Sequence, residues 1–261
     1  MVKIHPVVDS FISPSRIQAR NCSLDPIALP PTGTYWERVF REISMGLNIR
    51  TSLVVAGLLS SLGLPAAAVS VTSIDLDGLN LGATIVGPVG PTVDTTLTNT
   101  SGEGVGDLIS SVSCPSGFTV CAPPNNPAGT IYTYRHQVTP GVDFPNDAPF
   151  PSPSTLLPLT DVGTFRLNFS AEGFNGVAGY SFSDAANALN DGVEITTTQN
   201  NDGSIAWDLS DGSGWDTNES ITFFWQTTQP PSGPGGSYGI ANASQIGTAQ
   251  GPLPIPVSLK L

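Results

Sequence analysis

The chain has 261 residues, of which 28 are Gly and 24 are Pro, and only 11% are charged, against roughly 25% in an ordinary soluble domain. Six of its nine basic residues, Lys3, Arg16, Arg20, Arg38, Arg41 and Arg50, precede position 69, so from Val69 onward 17 acidic residues face 3 basic ones, a balance of −14. A surface so poor in Lys and Arg argues against nucleic acid as a partner and repels anionic lipid.

Residues 1–44 hold scattered Pro, a lone Cys22 and no clear period, and are read as an extension outside the fold, upstream of a second methionine, Met45. Residues 45–68 read MGLNIRTSLVVAGLLSSLGLPAAA, with Arg50, an apolar run from Leu53 to Leu64, and then Pro65 and Ala66-Ala67-Ala68. A basic residue, an apolar run of about twelve and a small-residue A-x-A site are the order of a secretory signal peptide. The run is short of the roughly twenty residues that cross a bilayer. Ala66 and Ala68 therefore mark an expected signal-peptidase site ahead of Val69, and the mature chain is expected to be exported to the periplasm, the outer surface or the medium. The other reading of the run is a buried core helix or an uncleaved anchor.

From Val69 to Gln250 the pattern predicts one all-β domain, an antiparallel β-sandwich with long Pro/Gly-rich loops and one or two short helices. Gly and Pro punctuate segments rich in Thr, Val, Ile and aromatic residues, as turns punctuate strands. Strands are predicted at 71–76, 83–86, 92–97, 130–138, 164–169, 177–182, 194–199, 204–209 and 221–226. The clearest alternation is Phe165, Leu167 and Phe169 against Arg166 and Asn168. Asn200-Asn201-Asp202-Gly203 supplies the positive φ values of a hairpin turn, and the strand at 221–226 extends that hairpin to three sequential strands. Helical spacing of Leu108, Ile109 and Val112 predicts a short helix over 106–112, and Ser183-Asp184-Ala185-Ala186 begins a helical turn. Proline clusters at 123–127 and 145–158 read as long surface loops.

Beyond the leader two cysteines remain, Cys114 and Cys121, and in an exported chain they are expected to form a disulfide. Two reduced, buried thiols are the alternative. With one histidine, His136, they lack the paired C-x-x-C of a zinc module. Gly235-Gly236-Ser237-Tyr238-Gly239 matches G-x-S-x-G, yet PPSGP precedes it where a nucleophile elbow needs a strand that opens into a helix, so it reads as a glycine-rich loop. The segment DLSDGSGWDTNE places Asp208, Asp211, Asp216 and Glu219 with acids at positions one and twelve of a calcium loop. Gly212 and Ser213 stand where a ligand and an invariant glycine belong, so calcium is only a weak candidate and no other cofactor is expected. Trp215, Trp225 and Tyr238, with Tyr134, could offer stacking faces to a sugar, Trp215 being expected to be exposed in its polar loop; the alternative for each is core packing. No catalytic set is recognisable, so the chain is read as a non-enzyme, ahead of a carbohydrate-binding module or adhesin and then a hydrolase using two carboxylates.

Residues 251–261, GPLPIPVSLKL, read as an extended Pro-rich tail. With the leader, the low-charge Cys-containing body, ITFFWQTTQPPSGPGG and Pro252, Pro254 and Pro256, the chain resembles the PEP-CTERM group of secreted bacterial proteins. That group ends in a Pro-Glu-Pro signal, a transmembrane helix and a basic tip, and is sorted by an exosortase. Here Pro254-Ile255-Pro256 has no Glu, and Lys260 is the only late basic residue, so the sorting signal is incomplete. The resemblance implies a cell-surface or extracellular-matrix protein of a Gram-negative bacterium, with exopolysaccharide or envelope components as partners.

Overall fold

A computed structural model describes residues 67–85, 92–123 and 125–256. The extension 1–44, the leader with Ala66, residue Val86 and the end of the tail lie outside the described residues. The described residues are all-β. Thirteen strands run β1 (Val69–Val71), β2 (Ile74–Asp75), β3 (Leu81–Thr84), β4 (Val93–Thr98), β5 (Gly104–Pro115), β6 (Tyr132–Pro140), β7 (Thr164–Leu167), β8 (Phe174–Tyr180), β9 (Ile195–Gln199), β10 (Ile205–Leu209), β11 (Ile221–Thr227), β12 (Pro231–Ala241) and β13 (Ile246–Pro254). One helix, α1 (Phe182–Ala188), follows β8, and a 3-10 turn spans Leu76–Gly78.

All thirteen strands belong to one sheet in the order β1-β9-β10-β7-β12-β13-β4-β5-β6-β11-β8-β2, with β3 pairing beside β5. Every pairing is antiparallel except β2 with β8. The architecture is thus one curled sheet rather than two separate ones. Its halves join through β13 and β4, which share only the pair Thr248↔Thr98. Phe165 and Trp207 come from one half and Phe223 from the other, and the Phe165 ring lies 4.8 Å from that of Phe223 and 5.4 Å from that of Trp207. These side chains are fully buried, as are Tyr134, Trp225 and Tyr238.

The 200–203 turn closes as expected: Gly203 has φ +81°, the Asn200 and Gly203 amides donate within the turn, and β9 and β10 pair from Ile195↔Leu209 to Gln199↔Ile205. The third strand goes elsewhere. β11 lies between β6 and β8, seven places from β10, because its alternating Ile221, Phe223 and Trp225 complete the opposite half of the core. The helix expected at 106–112 is part of β5, the twelve-residue strand at the centre of its half. A strand covered on both faces carries apolar residues at odd and even positions alike, and that pattern is ambiguous with a helix. Helix α1 does form, its N-terminus capped by Ser181, whose Oγ accepts from the Asp184 amide at 3.1 Å. Asp77, just past the strand predicted at 71–76, sits in the 3-10 turn and accepts from Ser181 Oγ and the Ser183 amide, placing a carboxylate against the helix start.

The two Pro/Gly-rich segments expected to be loop and tail pair with each other as β12 and β13, through two register shifts at Pro231/Gly233 and Pro234/Gly236. Ser237 is therefore a mid-strand residue rather than a loop nucleophile. Residues 251–254 are built into the sheet, and Tyr238 Oη donates to the Pro252 carbonyl at 2.5 Å. The glycines make room for large neighbours: a Cβ on Gly251 would stand 2.8 Å from Tyr238 Cε2, and one on Gly247 would overlap Val105 Cγ2. Cys114 and Cys121 are joined by a disulfide with Cα atoms 5.6 Å apart, both buried, and Asn126 Nδ2 lies 3.3 Å from Cys114 Sγ.

Overpacking at a buried site costs about 1 to 3 kcal/mol. Gly247→Ala is therefore expected to lower unfolding stability by an amount in that range, read as a lower urea midpoint at unchanged m-value.

Candidate functional site

Alternation along β4 sends Val93, Thr95 and Leu97 to the core, and Asp94, Thr96 and Thr98 to the outer face of the sheet. Pairing with β5 sets Thr96 opposite Asp107, and pairing of β5 with β6 sets Asp107 opposite Thr139. Asp107 is thus on the outer side, yet it is only 1% exposed, because the loop after β6 lies over it. The Phe144 amide donates to Asp107 Oδ1 at 3.0 Å, and the Asp94 amide donates to Asp147 Oδ2 at 3.1 Å. Thr96 Oγ1 donates to Asp143 Oδ1 at 2.5 Å and accepts from Asn146 Nδ2 at 2.7 Å. Asn146 also ties the loop to itself through the Pro151 carbonyl.

Asp107 thus lies opposite Thr96 on the neighbouring strand, Asp143 accepts from the Thr96 hydroxyl and Asp147 from the Asp94 amide. Burial pushes the Asp107 carboxyl up to about 7, with further upward pressure from Asp94 and Asp143 and only the Phe144 amide and its like opposing. Burial, then the charge of Asp147, raises Asp94 as well. The Asp94 and Asp107 side chains are within hydrogen-bonding contact. Thr96 also opens onto a groove of about 370 Å³ lined by Thr98, Phe150, Ser237, Thr248 and Gln250, so the acidic group stands directly behind a hydroxyl- and amide-lined surface.

The residues singled out from the sequence fall elsewhere. Trp215 is buried rather than exposed: its indole packs against Phe223 with ring centroids 5.6 Å apart and donates to the Glu219 carbonyl at 2.8 Å. The polar loop folds inward around the one large apolar side chain it has. Trp225 and Tyr238 are buried too, Trp225 stacking on Tyr134 at 4.5 Å, so none of these aromatics offers a face to a sugar. His136 lies between them. Trp225 Nε1 donates to its Nε2 at 3.3 Å and Ser110 Oγ is 3.0 Å from its Nδ1. Burial lowers the imidazole to about 3, and the ring serves as a neutral core group.

The calcium candidates are dispersed. Asp208 Oδ1 accepts from Thr164 Oγ1 across the β7–β10 pair, Asp216 Oδ1 from the distant Asp161 amide and Glu219 Oε2 from the Asp216 amide within its own turn, so three of the four carboxylates are already hydrogen-bonded to protein groups. Asp211 borders a separate groove of about 400 Å³ with Asp161 and Asn242. Among the described residues no three carboxylate, imidazole or thiol groups are already gathered as a metal shell. Ala68 and Val69 at the expected cleavage junction are exposed, and β1 begins at Val69 itself. Sequence reasoning missed Asp94, Asp107 and the 143–147 loop. The available signal was a lone Asp inside the apolar stretch GVGDLIS.

The pair Asp94/Asp107 predicts a pH-dependent cost. A carboxyl whose value is raised on folding binds its proton longer in the native state, so its contribution is favourable below about 4 and is lost as pH rises toward about 7. In chelated buffer, Asp107→Asn is expected to leave stability unchanged near pH 4 and to raise it by about 1 to 2 kcal/mol at pH 8, after discounting for screening; paired urea titrations check it. No family model matches the chain, and no curated protein or solved structure matches it either.

Proposed function

We propose that this chain is an exported, non-enzymatic protein that acts at the cell surface or in the extracellular matrix by binding. The observation that carries the reading is the order of the leader, with Arg50, the apolar run 53–64 and Ala66-Ala67-Ala68 directly ahead of Val69. Two structural facts support it. The described strands begin at Val69, so cleavage after Ala68 would leave all of them intact. The Cys114–Cys121 disulfide is consistent with an oxidising compartment. Binding is favoured over catalysis because the only histidine from Val69 onward is locked neutral in the core and the Asp94/Asp107 carboxyl pair is covered by a loop. Processing by an exosortase would have to act beyond Pro254, since residues up to that point pair in β13.

Expression in a Gram-negative host tests this directly. Periplasmic or medium fractions are expected to yield a chain starting at Val69 whose mass rises by about 2 Da on reduction, the two hydrogens of a reduced disulfide. A cytoplasmic product retaining residues 1–68 with free thiols would overturn the reading.

A second reading, glycan binding, is favoured by the outer groove, where half-buried Phe150 stands among Thr98, Ser237, Thr248 and Gln250. An apolar ring among hydroxyl and amide groups matches the amphipathic faces of a sugar. Affinity electrophoresis through acidic and neutral polysaccharides is expected to show retardation that Phe150→Ala reduces at least about fivefold, a loss of about 1 kcal/mol.

A further inference from the structure

We propose that the outer groove extends across β12 to Arg166 and takes a largely neutral polysaccharide whose isolated carboxylates pair with the Arg166 guanidinium. The inference rests on the glycan-binding reading of that groove and names its ligand class. Strand register sets the surface: Arg166 pairs with Gly239, Gly239 with Thr248 and Thr248 with Thr98, so one row crosses β7, β12, β13 and β4. The row belongs to the outer face, since Phe165, Tyr238 and Leu97, its neighbours along those strands, are buried in the core. Thr98 and Thr248 line the groove, and Arg166 stands two strand spacings from Thr248, roughly 10 Å. Gly239 puts no side chain between them. The Asn168 amide lies there instead: a Cβ on Gly239 would stand 3.0 Å from Asn168 Nδ2, which donates to Ser237 Oγ at 3.2 Å. Ser237 also lines the groove, so hydrogen-bonding groups lead from it to Arg166.

Charge selects the ligand. Of the 3 basic residues from Val69 onward, Lys260 lies outside the described residues and Arg135 is on β6 in the other half of the sheet. Among the described residues Arg166 is therefore the only cation on its half, and it is exposed. Its partner on β10 is Ala206, and the one carboxylate of that strand, Asp208, is engaged by Thr164 Oγ1. Among the described residues no carboxylate is hydrogen-bonded to Arg166. A guanidinium presents paired N–H donors that match a carboxylate in two places at once. The balance of −14 from Val69 onward repels a polymer charged at every unit. A carboxylate spaced by neutral sugars meets Arg166 while the neutral units lie against the hydroxyls, amides and Phe150 of the groove.

The test is affinity electrophoresis of the full chain, as purified with its disulfide, through gels holding xanthan or gellan, each in native form and with its carboxyls reduced to alcohols. Mobility is taken relative to a polymer-free gel, which corrects for the charge of each variant. Native polymer is expected to bind more tightly than its reduced form. Arg166→Gln should weaken binding to native polymer by about fivefold, the scale of one exposed ion pair, and leave the reduced polymer unchanged. Arg166→Lys, which keeps the charge and loses the paired donors, should fall between. Both variants are expected to keep the wild-type urea midpoint, since Arg166 is exposed. Equal binding to native and reduced polymers, reduced by Phe150→Ala and untouched by Arg166→Gln, would overturn the carboxylate assignment and leave glycan binding standing. Equal loss on both polymers with Arg166→Gln would overturn it as well. No retardation of the wild-type chain by any of the four gels would overturn both readings together.

Discussion

The contact of Phe165 with Phe223, one ring on each half of the sheet at 4.8 Å, is the interaction on which the architecture depends. A single sheet has no second layer, and it can exclude water from one face only by curling until that face meets itself. Phe165 is at the meeting point, within 5.9 Å of His136 and 6.3 Å of Tyr238 as well. Large aromatics gain more from this burial than smaller residues, since each removes about 150 to 250 Å² from water. The space they need is made elsewhere, by Gly247 and Gly251 on β13 and Gly236 on β12, whose missing side chains accommodate Val105, Tyr238 and Phe169. Glycines that weaken a strand by themselves thus strengthen the packing between halves.

The class of the fold was legible because one-sided strands alternate: Phe165 and Leu167 point inward and Arg166 outward, as the residues read. The Asn200–Gly203 hairpin was legible because positive φ at Gly203 is a local demand met by local chemistry. What failed was whatever depended on a distant partner. Strand β5 read as a helix because a loop 30 residues later covers its outer face. Strands β12 and β13 read as loop and tail because their glycines and prolines make sense only against Tyr238, Phe169 and Val105. Which strand lies next to β10 was equally invisible, since alternation says which face is buried and not against what.

The same limit explains the candidate site. Asp208, Asp211, Asp216 and Glu219 lie close in sequence and drew attention, but in space Asp208 and Asp216 reach to Thr164 and Asp161 and Glu219 caps its own turn. Asp94, Asp107 and Asp143 are far apart in sequence and were brought together by strand pairing and a crossing loop. A buried carboxyl is costly without a partner, so a chain with 17 acids and 3 bases from Val69 onward can hide one only by hydrogen bonding or protonation. Asp107 has the Phe144 amide for one oxygen and a hydrogen bond shared with the Asp94 carboxyl. That paired burial, and not the abundance of acids, is what sets this cluster apart.

The position of β13 bears on how the protein comes into being. The last strand in the chain is the sixth of twelve across the sheet, between β12 and β4, and the first, β1, waits for residues 197–199. A ribosome delivers residues in order, so the middle of the sheet is missing until residues 246–254 have emerged. The growing chain has no route to a finished core before β13 has emerged. Such long-range pairing folds slowly. Under the proposed export, that delay keeps the chain in a threadable state, and the order of strands acts as a timer.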